Sequence, residues 1–419
     1  MPLDNAAKIY PAVQSREFTI VFRISAILND PVNYNCLVHA IQKAESRFPY
    51  FKVTLKKGFF WYYLEHIDRP LSPSADMHGC CRSFFFPRAE NPFLLRITVV
   101  RNKLSVEFSH ILTDGAGAMA FLTALLAAYF SEKNPGVPVV PGFEPDESMS
   151  VEEFEDAYNR YFKSEIPRVV SYTKAFHLPF ELNRKKRFQV LSGVMELCDI
   201  LSKSREKGLS VTEYLVSVYL FILQEICHEL PPYSRYKRRK IIRIQVPVNL
   251  RKIYPTRSMR NFSLFVLPEI DLRLGDYTFD EIVKIVYHKM QLETDEKVIN
   301  KIIARNVGSE KNLFVRGIPL FIKNLILRWK YYDKGPNQYS GVVTNLGKVD
   351  LPAEMATHIS RLVFIPPPPN KKLKVNCGVI GFQDKLVISF GNITNSVELE
   401  KKFFRFLISQ GIHVKLTAY

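Results

Sequence analysis

The 419-residue chain is short of several signatures that would announce a chemistry. It has no G-x-S-x-G and no P-loop, so serine-hydrolase and nucleoside-triphosphate mechanisms lack their usual anchors. Its six cysteines (Cys36, Cys80, Cys81, Cys198, Cys227 and Cys377) form no C-x-x-C pair, and most lie in apolar segments. Buried free thiols in a reducing cytosol are the simplest expectation. The adjacent Cys80 and Cys81 allow a redox pair, but a loop packed on the core is the simpler reading. No apolar run reaches the roughly 20 residues that span a bilayer. The first residues carry no basic-then-apolar leader pattern. A cytoplasmic protein without a transmembrane segment is expected. Zinc spacings, RNP-like aromatic strands and an obvious recognition helix are missing as well, which disfavours nucleic acid as a partner.

Acid is scarce relative to base. Against 58 Lys and Arg stand 41 Asp and Glu, a net charge of +17. Such a balance suits an anionic partner: nucleic acid, a membrane surface, an acidic protein or a polyphosphate cofactor. The basic clusters are Arg184-Lys185-Lys186-Arg187, Lys237 to Lys240, and Lys371-Lys372-Leu373-Lys374. Each alone reads as solvated surface. Apolar residues at 47% and charged residues at 24% are ordinary for a globular protein, and the length allows two or three domains.

Taken in order, residues 17–27 (EFTIVFRISAI) read as a strand. Asp30 is placed to cap a helix from Pro31, with Leu37, Ala40, Ile41 and Ala44 on its apolar face. Hairpins are expected at 51–66 and 93–110. Residues 134–149 (NPGVPVVPGFEPDESM) look like an exposed connector, followed by a polar helix over 151–163. The second half begins with a strand at 188–192 and helices at 194–205 and 213–229, the latter capped by Ser210 or Thr212. Strands follow at 241–248 and 263–270, then a long helix at 279–301. Residues 318–332 (IPLFIKNLILRWKYY) have a composition compatible with a membrane surface, although the short, irregular polar face favours a helix docked on the core. Strands at 340–345 and 362–365 precede the run Pro366 to Pro369.

One stretch carries chemistry. Lys103 to Phe130 (KLSVEFSHILTDGAGAMAFLTALLAAYF) is an alternating strand, a tight loop and an apolar helix, with His110, Asp114 and Gly115 spelling H-x-x-x-D-G at the junction. A lone His ending a buried strand is usually a satisfied core residue; the sharper reading is a general base of near-neutral pKa. No second His or Cys lies nearby in sequence, so no metal is expected. Lys385 to Asn392 (KLVISFGN) repeats the pattern of Lys103 to His110, again between a strand and a helix (397–409), with Asn392 where His110 stands. The chain therefore reads as two related α/β halves, with the base kept only in the first.

This motif resembles that of the CoA-dependent acyltransferase superfamily, which includes chloramphenicol acetyltransferase, alcohol acetyltransferases and peptide-synthetase condensation domains. Pro247-Val248-Asn249-Leu250-Arg251 with Asn261-Phe262, and Val343-Thr344-Asn345-Leu346-Gly347, resemble later signatures of the alcohol-acetyltransferase and condensation-like branch. The resemblance covers essentially the whole chain. It implies an α+β fold: two chloramphenicol-acetyltransferase-like α/β sandwich domains in pseudo-duplicate, V-shaped, with an active-site tunnel between them. The expected division is 1–165 for the domain carrying the His motif, 166–187 for a crossover linker and 188–419 for the second domain. Two departures stand out: Ser109 occupies the place where condensation domains usually carry a second His, and the D-F-G-W-G of plant members is missing. Both disfavour peptide-bond condensation and the plant branch.

The resemblance implies an acyltransferase, and an alcohol acceptor attacking a coenzyme A thioester directly. His110 would take the hydroxyl proton. Asp114 would hold the loop through an Arg, with Arg251 the candidate beside Asn249. Gly115 would leave room for the acyl chain or pantetheine arm, and Thr344 or Asn345 would supply an oxyanion donor. Nothing is expected to be bound permanently; acyl-CoA is a co-substrate. An acidic acyl carrier protein is the alternative donor, which charge alone does not separate from CoA, and a non-catalytic acyl-binding relative is the third reading.

Overall fold

The structure is a computed structural model describing residues 1–15, 18–76, 79–85, 92–133, 150–166, 172–183 and 188–418. The expected connector 134–149, the basic run Arg184-Lys185-Lys186-Arg187 and part of the expected linker 166–187 lie outside the described residues.

The alternating segment Lys103–Ser109 becomes the centre of a five-stranded sheet. Its order is Ile359–Ile365, Val21–Leu28, Lys103–Ser109, Leu95–Val100, Pro73–Ala75. All neighbours are antiparallel except Pro73–Ala75, which runs parallel to Leu95–Val100. Leu104, Val106 and Phe108 sit on the apolar face and share one core with the helices Tyr34–Arg47 and Gly115–Lys133. The other face is buried too, so its polar residues need partners. Ser105 Oγ meets Ser25 Oγ at 2.8 Å. The Glu107 carboxylate accepts from Arg23 (2.9 Å), Arg96 (2.6 Å) and the Cys81 amide (2.6 Å). The Cys80-Cys81 loop is thereby packed on the core.

The second sheet has eight strands. Along its main path these are Glu269–Asp271, Ile241–Asn249, Gly341–Val349, Val375–Phe382, Lys385–Asn392, Gln189–Glu196 and Lys415–Ala418, with Ser263–Val266 paired to Ile241–Asn249. The pairing bears out the internal repeat. Lys103–Ser109 lies between Val21–Leu28 and Leu95–Val100; Lys385–Asn392 lies between Gln189–Glu196 and Val375–Phe382, all antiparallel. Ile359–Ile365 comes from the second half of the sequence yet closes the edge of the first sheet beside Val21–Leu28.

Several local expectations change. Asn33, not Asp30, caps the first long helix, accepting from the Cys36 amide. The segment 151–163 is a 3-10 turn and a four-residue helix, Ala157–Arg160, because Asp156 starts a new cap after Phe154. Val194 stays in the strand, paired with Val387 and Lys415, so the next helix begins at Leu197. Ser210 and Glu213 form a capping box, which leaves Thr212 free for another task. Pro268 lies between strands Ser263–Val266 and Glu269–Asp271. The long helix at 279–301 is two helices, Phe279–Glu293 and Glu296–Lys311, because Asp295 caps the second. All six cysteines are free, but Cys198 is exposed while Cys81, Cys227 and Cys377 are buried.

Candidate active site

His110 follows the strand Lys103–Ser109, and its backbone is held from two sides. Its amide donates to the Ile20 carbonyl at 3.0 Å, while its carbonyl accepts from Asn261 Nδ2 at 2.9 Å. Ile20 has φ 51°, a conformation unfavourable for a β-branched residue. The imidazole packs against the Phe22 ring (centroids 4.6 Å apart) and the Tyr10 ring (5.7 Å). Nδ1 is enclosed and has no hydrogen-bond partner among the described residues. That leaves Nε2 as the ring nitrogen open to the cavity His110 lines. Loss of solvation lowers the pKa below the ordinary 6.5, although Asp114 and Asn261 oppose the shift. The ring is therefore neutral at pH 7, as a proton acceptor must be.

Asp114 is fully committed elsewhere. Oδ1 accepts from the amides of Ala116 (3.1 Å) and Gly117 (3.2 Å), which caps the helix Gly115–Lys133. Oδ2 accepts from Arg251 Nη1 (2.9 Å) and the Phe262 amide (2.8 Å). Arg251 is itself fixed by Asn249 Oδ1 (3.2 Å) and by the carbonyls of Ser258 (2.8 Å) and Arg260. The signature residues of the second half thus grip the His110 loop through one buried ion pair.

Gly115 faces Leu346: a Cβ there would fall 2.5 Å from Leu346 Cδ2. What this glycine admits is a side chain of the facing strand Gly341–Val349. Gly117 is tighter, since a Cβ would come within 2.2 Å of both the Met259 carbonyl and Thr113 Oγ1. Thr113 Oγ1 donates to that same carbonyl at 2.5 Å. The helix start and the 259–262 segment are in backbone contact.

Thr344 and Asn345 come from the second sheet and line the same cavity as His110. Asn345 is occupied: Nδ2 donates to Thr212 Oγ1 (3.0 Å) and Oδ1 accepts from the Gly347 amide (2.8 Å). Gly347 has φ 82°, which suits glycine, so Asn345 shapes a turn. Among the described residues the Thr344 hydroxyl makes no hydrogen bond. The cavity has a volume of about 1830 Å³, and its walls mix Phe22, Met119 and Phe265 with Thr123, Thr212 and Asn249. In the second copy of the repeat, Asn392 is buried and bonded to Ser396, Glu400 and Thr394. It has no atom left for chemistry.

Asp4 and Tyr10 escaped the sequence reading. Asp4 is fully buried and accepts from Asn261 Nδ2 at 3.1 Å, so Asn261 ties the N-terminal segment to the His110 carbonyl. Nothing in the pattern of residues 1–15 signals that contact.

No family model matches the chain, and no curated protein matches it in sequence. Solved structures do match in fold. Polyketide synthase associated protein 5 from Mycobacterium tuberculosis is similar over 98% of this chain and 97% of its own, with a TM-score of 0.64 at 13% identity. The trichothecene 15-O-acetyltransferase from Fusarium sporotrichioides is similar over 97% and 93%, with a TM-score of 0.61 at 9% identity. The first condensation domain of the CDA synthetase is similar over 98% and 95%, with a TM-score of 0.58 at 14% identity. The chain has the mixed α/β, two-domain fold common to condensation domains and acetyltransferases of this kind.

Proposed function

We propose that the protein is an acyltransferase that moves an acyl group, acetyl or longer, from a coenzyme A thioester to an alcohol, with His110 as general base. The observation that carries this reading is that His110, whose pKa burial lowers, and Thr344, whose hydroxyl makes no hydrogen bond among the described residues, line one large cavity of mixed polarity. On this reading Nε2 takes the hydroxyl proton as the oxygen attacks the thioester carbonyl. The new C–O bond gives a tetrahedral oxyanion, and on this reading the Thr344 hydroxyl, which lines the same cavity, donates to it. The C–S bond then breaks, the imidazolium returns its proton to the leaving thiolate, and an ester and a free thiol remain. Asp114, Arg251, Asn249 and Asn345 position these groups. The two halves, 1–165 and 188–419, would meet at the cavity, joined by the 166–187 crossover.

The donor could instead be a phosphopantetheinyl carrier protein. Two basic segments that are far apart in sequence meet near His177: its Nδ1 lies 2.8 Å from Arg239 Nη1, and its pKa is lowered to about 4 by burial first and then by Arg239, Lys372 and Lys374. Phosphates of coenzyme A and an acidic carrier surface would both be attracted there. Free-thiol release from acetyl-CoA and longer acyl-CoAs, with pooled alcohols and amines, tests the proposal. Turnover with acyl-carrier donors but none with acyl-CoA selects the carrier reading. Absence of turnover with either donor, together with tight acyl-ligand binding that His110→Ala leaves unchanged, selects a non-catalytic protein.

A further inference from the structure

The helix Leu320–Lys334 packs on the protein by an unexpected side. Phe321, Leu325 and Trp329 recur at four-residue spacing and are 64%, 66% and 65% exposed. A surface helix ordinarily turns such a stripe inward. The side facing the protein carries Leu320, 2% exposed, and Tyr331, which packs on Phe18, and between them Lys323, only 3% exposed. Its Nζ donates to the carbonyls of Phe60 (3.1 Å) and Arg316 (3.0 Å) and sits 3.9 Å from the Trp61 ring centroid. The helix is thus anchored by Leu320, Tyr331 and a desolvated ammonium while a second apolar stripe is left to solvent.

The exposed surface continues beyond the helix. Phe59 and Phe60 lie between the strands Val53–Lys57 and Tyr62–His66, and the Leu320 amide donates to the Phe59 carbonyl at 2.9 Å. Both rings are exposed, as is Phe314 on the preceding turn. Single exposed apolar residues are ordinary, but a contiguous aromatic and aliphatic patch marks an interaction surface.

The surrounding charge indicates what covers it. Residues 313–334 contain Arg316, Lys323, Arg328, Lys330 and Lys334 against one acid, Asp333, in a chain of net charge +17. Two copies meeting face to face would set Arg316, Arg328 and Lys330 near their own twins, a repulsion that disfavours self-association. Trp and Phe flanked by Lys and Arg are instead the composition of a helix lying in the interface of an anionic bilayer. We propose that Leu320–Lys334 and the adjoining Phe59-Phe60 turn form a docking face for an anionic phospholipid bilayer. Phe321, Leu325 and Trp329 enter the interface, while Arg328 and Lys330 meet the headgroups. Trp329 and Ile326 also line the cavity that contains His110, so the docking face borders that cavity. Docking itself does not depend on the acyl-transfer reading.

Flotation of the full chain with vesicles tests this. The protein is expected to float with phosphatidylcholine vesicles containing phosphatidylglycerol, more weakly with phosphatidylcholine alone, and more weakly at high salt. Phe321→Gln combined with Leu325→Gln should reduce binding at least tenfold with an unchanged melting temperature, since both side chains are exposed. Should that pair fail to fold, Phe59→Ser with Phe314→Ser carries the same expectation. Failure of the wild type to float with either vesicle overturns the proposal, as does wild-type binding by a folded double variant. A stable dimer that the same substitutions dissociate, without vesicle binding, overturns it in favour of a second copy.

Discussion

Arg251 Nη1 lies 2.9 Å from Asp114 Oδ2, joining residues 137 positions apart in sequence. Both partners are largely buried; Asp114 also accepts from the Phe262 amide, and Arg251 donates to the Ser258 and Arg260 carbonyls of the same 258–262 segment. The pair therefore fixes the His110 loop against the second half.

Removing one partner of such a pair strands the other. Asp114→Ala should cost about 3–5 kcal/mol in urea unfolding, because it leaves Arg251 unpaired and also removes the cap of Gly115–Lys133. A loss below about 1 kcal/mol would show that the pair is not structural.

His110→Ala should lower kcat by roughly 10²–10⁴-fold if His110 is the base. The pH profile gives an independent check. Because burial lowers the His110 pKa from 6.5, the neutral form persists below that value. The acid limb of kcat/KM should then fall below pH 6.5, and activity should be flat through pH 7. Protonation of a histidine with a depressed folded-state pKa also opposes folding. That contribution to stability is complete above 6.5 and is lost as pH falls toward the folded-state pKa. An acid limb centred above pH 7 would contradict the geometry.

The two glycines of the helix start should behave differently. At Gly117 a Cβ meets a backbone carbonyl, which cannot move aside, so Gly117→Ala should destabilise by about 1–3 kcal/mol in thermal melts. At Gly115 the obstacle is the end of the Leu346 side chain. Gly115→Ala should change the melting temperature little, because a rotamer change relieves the contact. Equal destabilisation by the two substitutions would show that Leu346 cannot yield.

Thr344 and Asn345 should also separate. Thr344→Val removes a hydroxyl that has no partner among the described residues and should lower kcat by up to about 10²–10³-fold with stability unchanged. Asn345→Ala breaks bonds to Thr212 and Gly347. It should lower stability by about 1–2 kcal/mol. Reversed outcomes would move the donor role to Asn345.

The sequence by itself determined the local features. Alternation placed Lys103–Ser109 and Lys385–Asn392 as paired central strands, and the spacing of H-x-x-x-D-G put His110 and Asp114 on one loop. These rest on contacts within a few residues, which periodicity reports directly. Helix ends shifted where a nearer residue caps, as Asn33 does in place of Asp30, or where a strand runs on, as at Val194. Tertiary structure alone decided the rest. The bond from Asn261 to the His110 carbonyl, the buried Asp4, the edge strand Ile359–Ile365 and the engagement of Asn345 by Thr212 each join distant segments. No local pattern encodes such a meeting. The helix Leu320–Lys334 shows the limit most clearly. Its composition suited both a membrane face and a core face, and only the tertiary structure decided that Leu320 and Lys323 turn inward while Phe321, Leu325 and Trp329 turn outward.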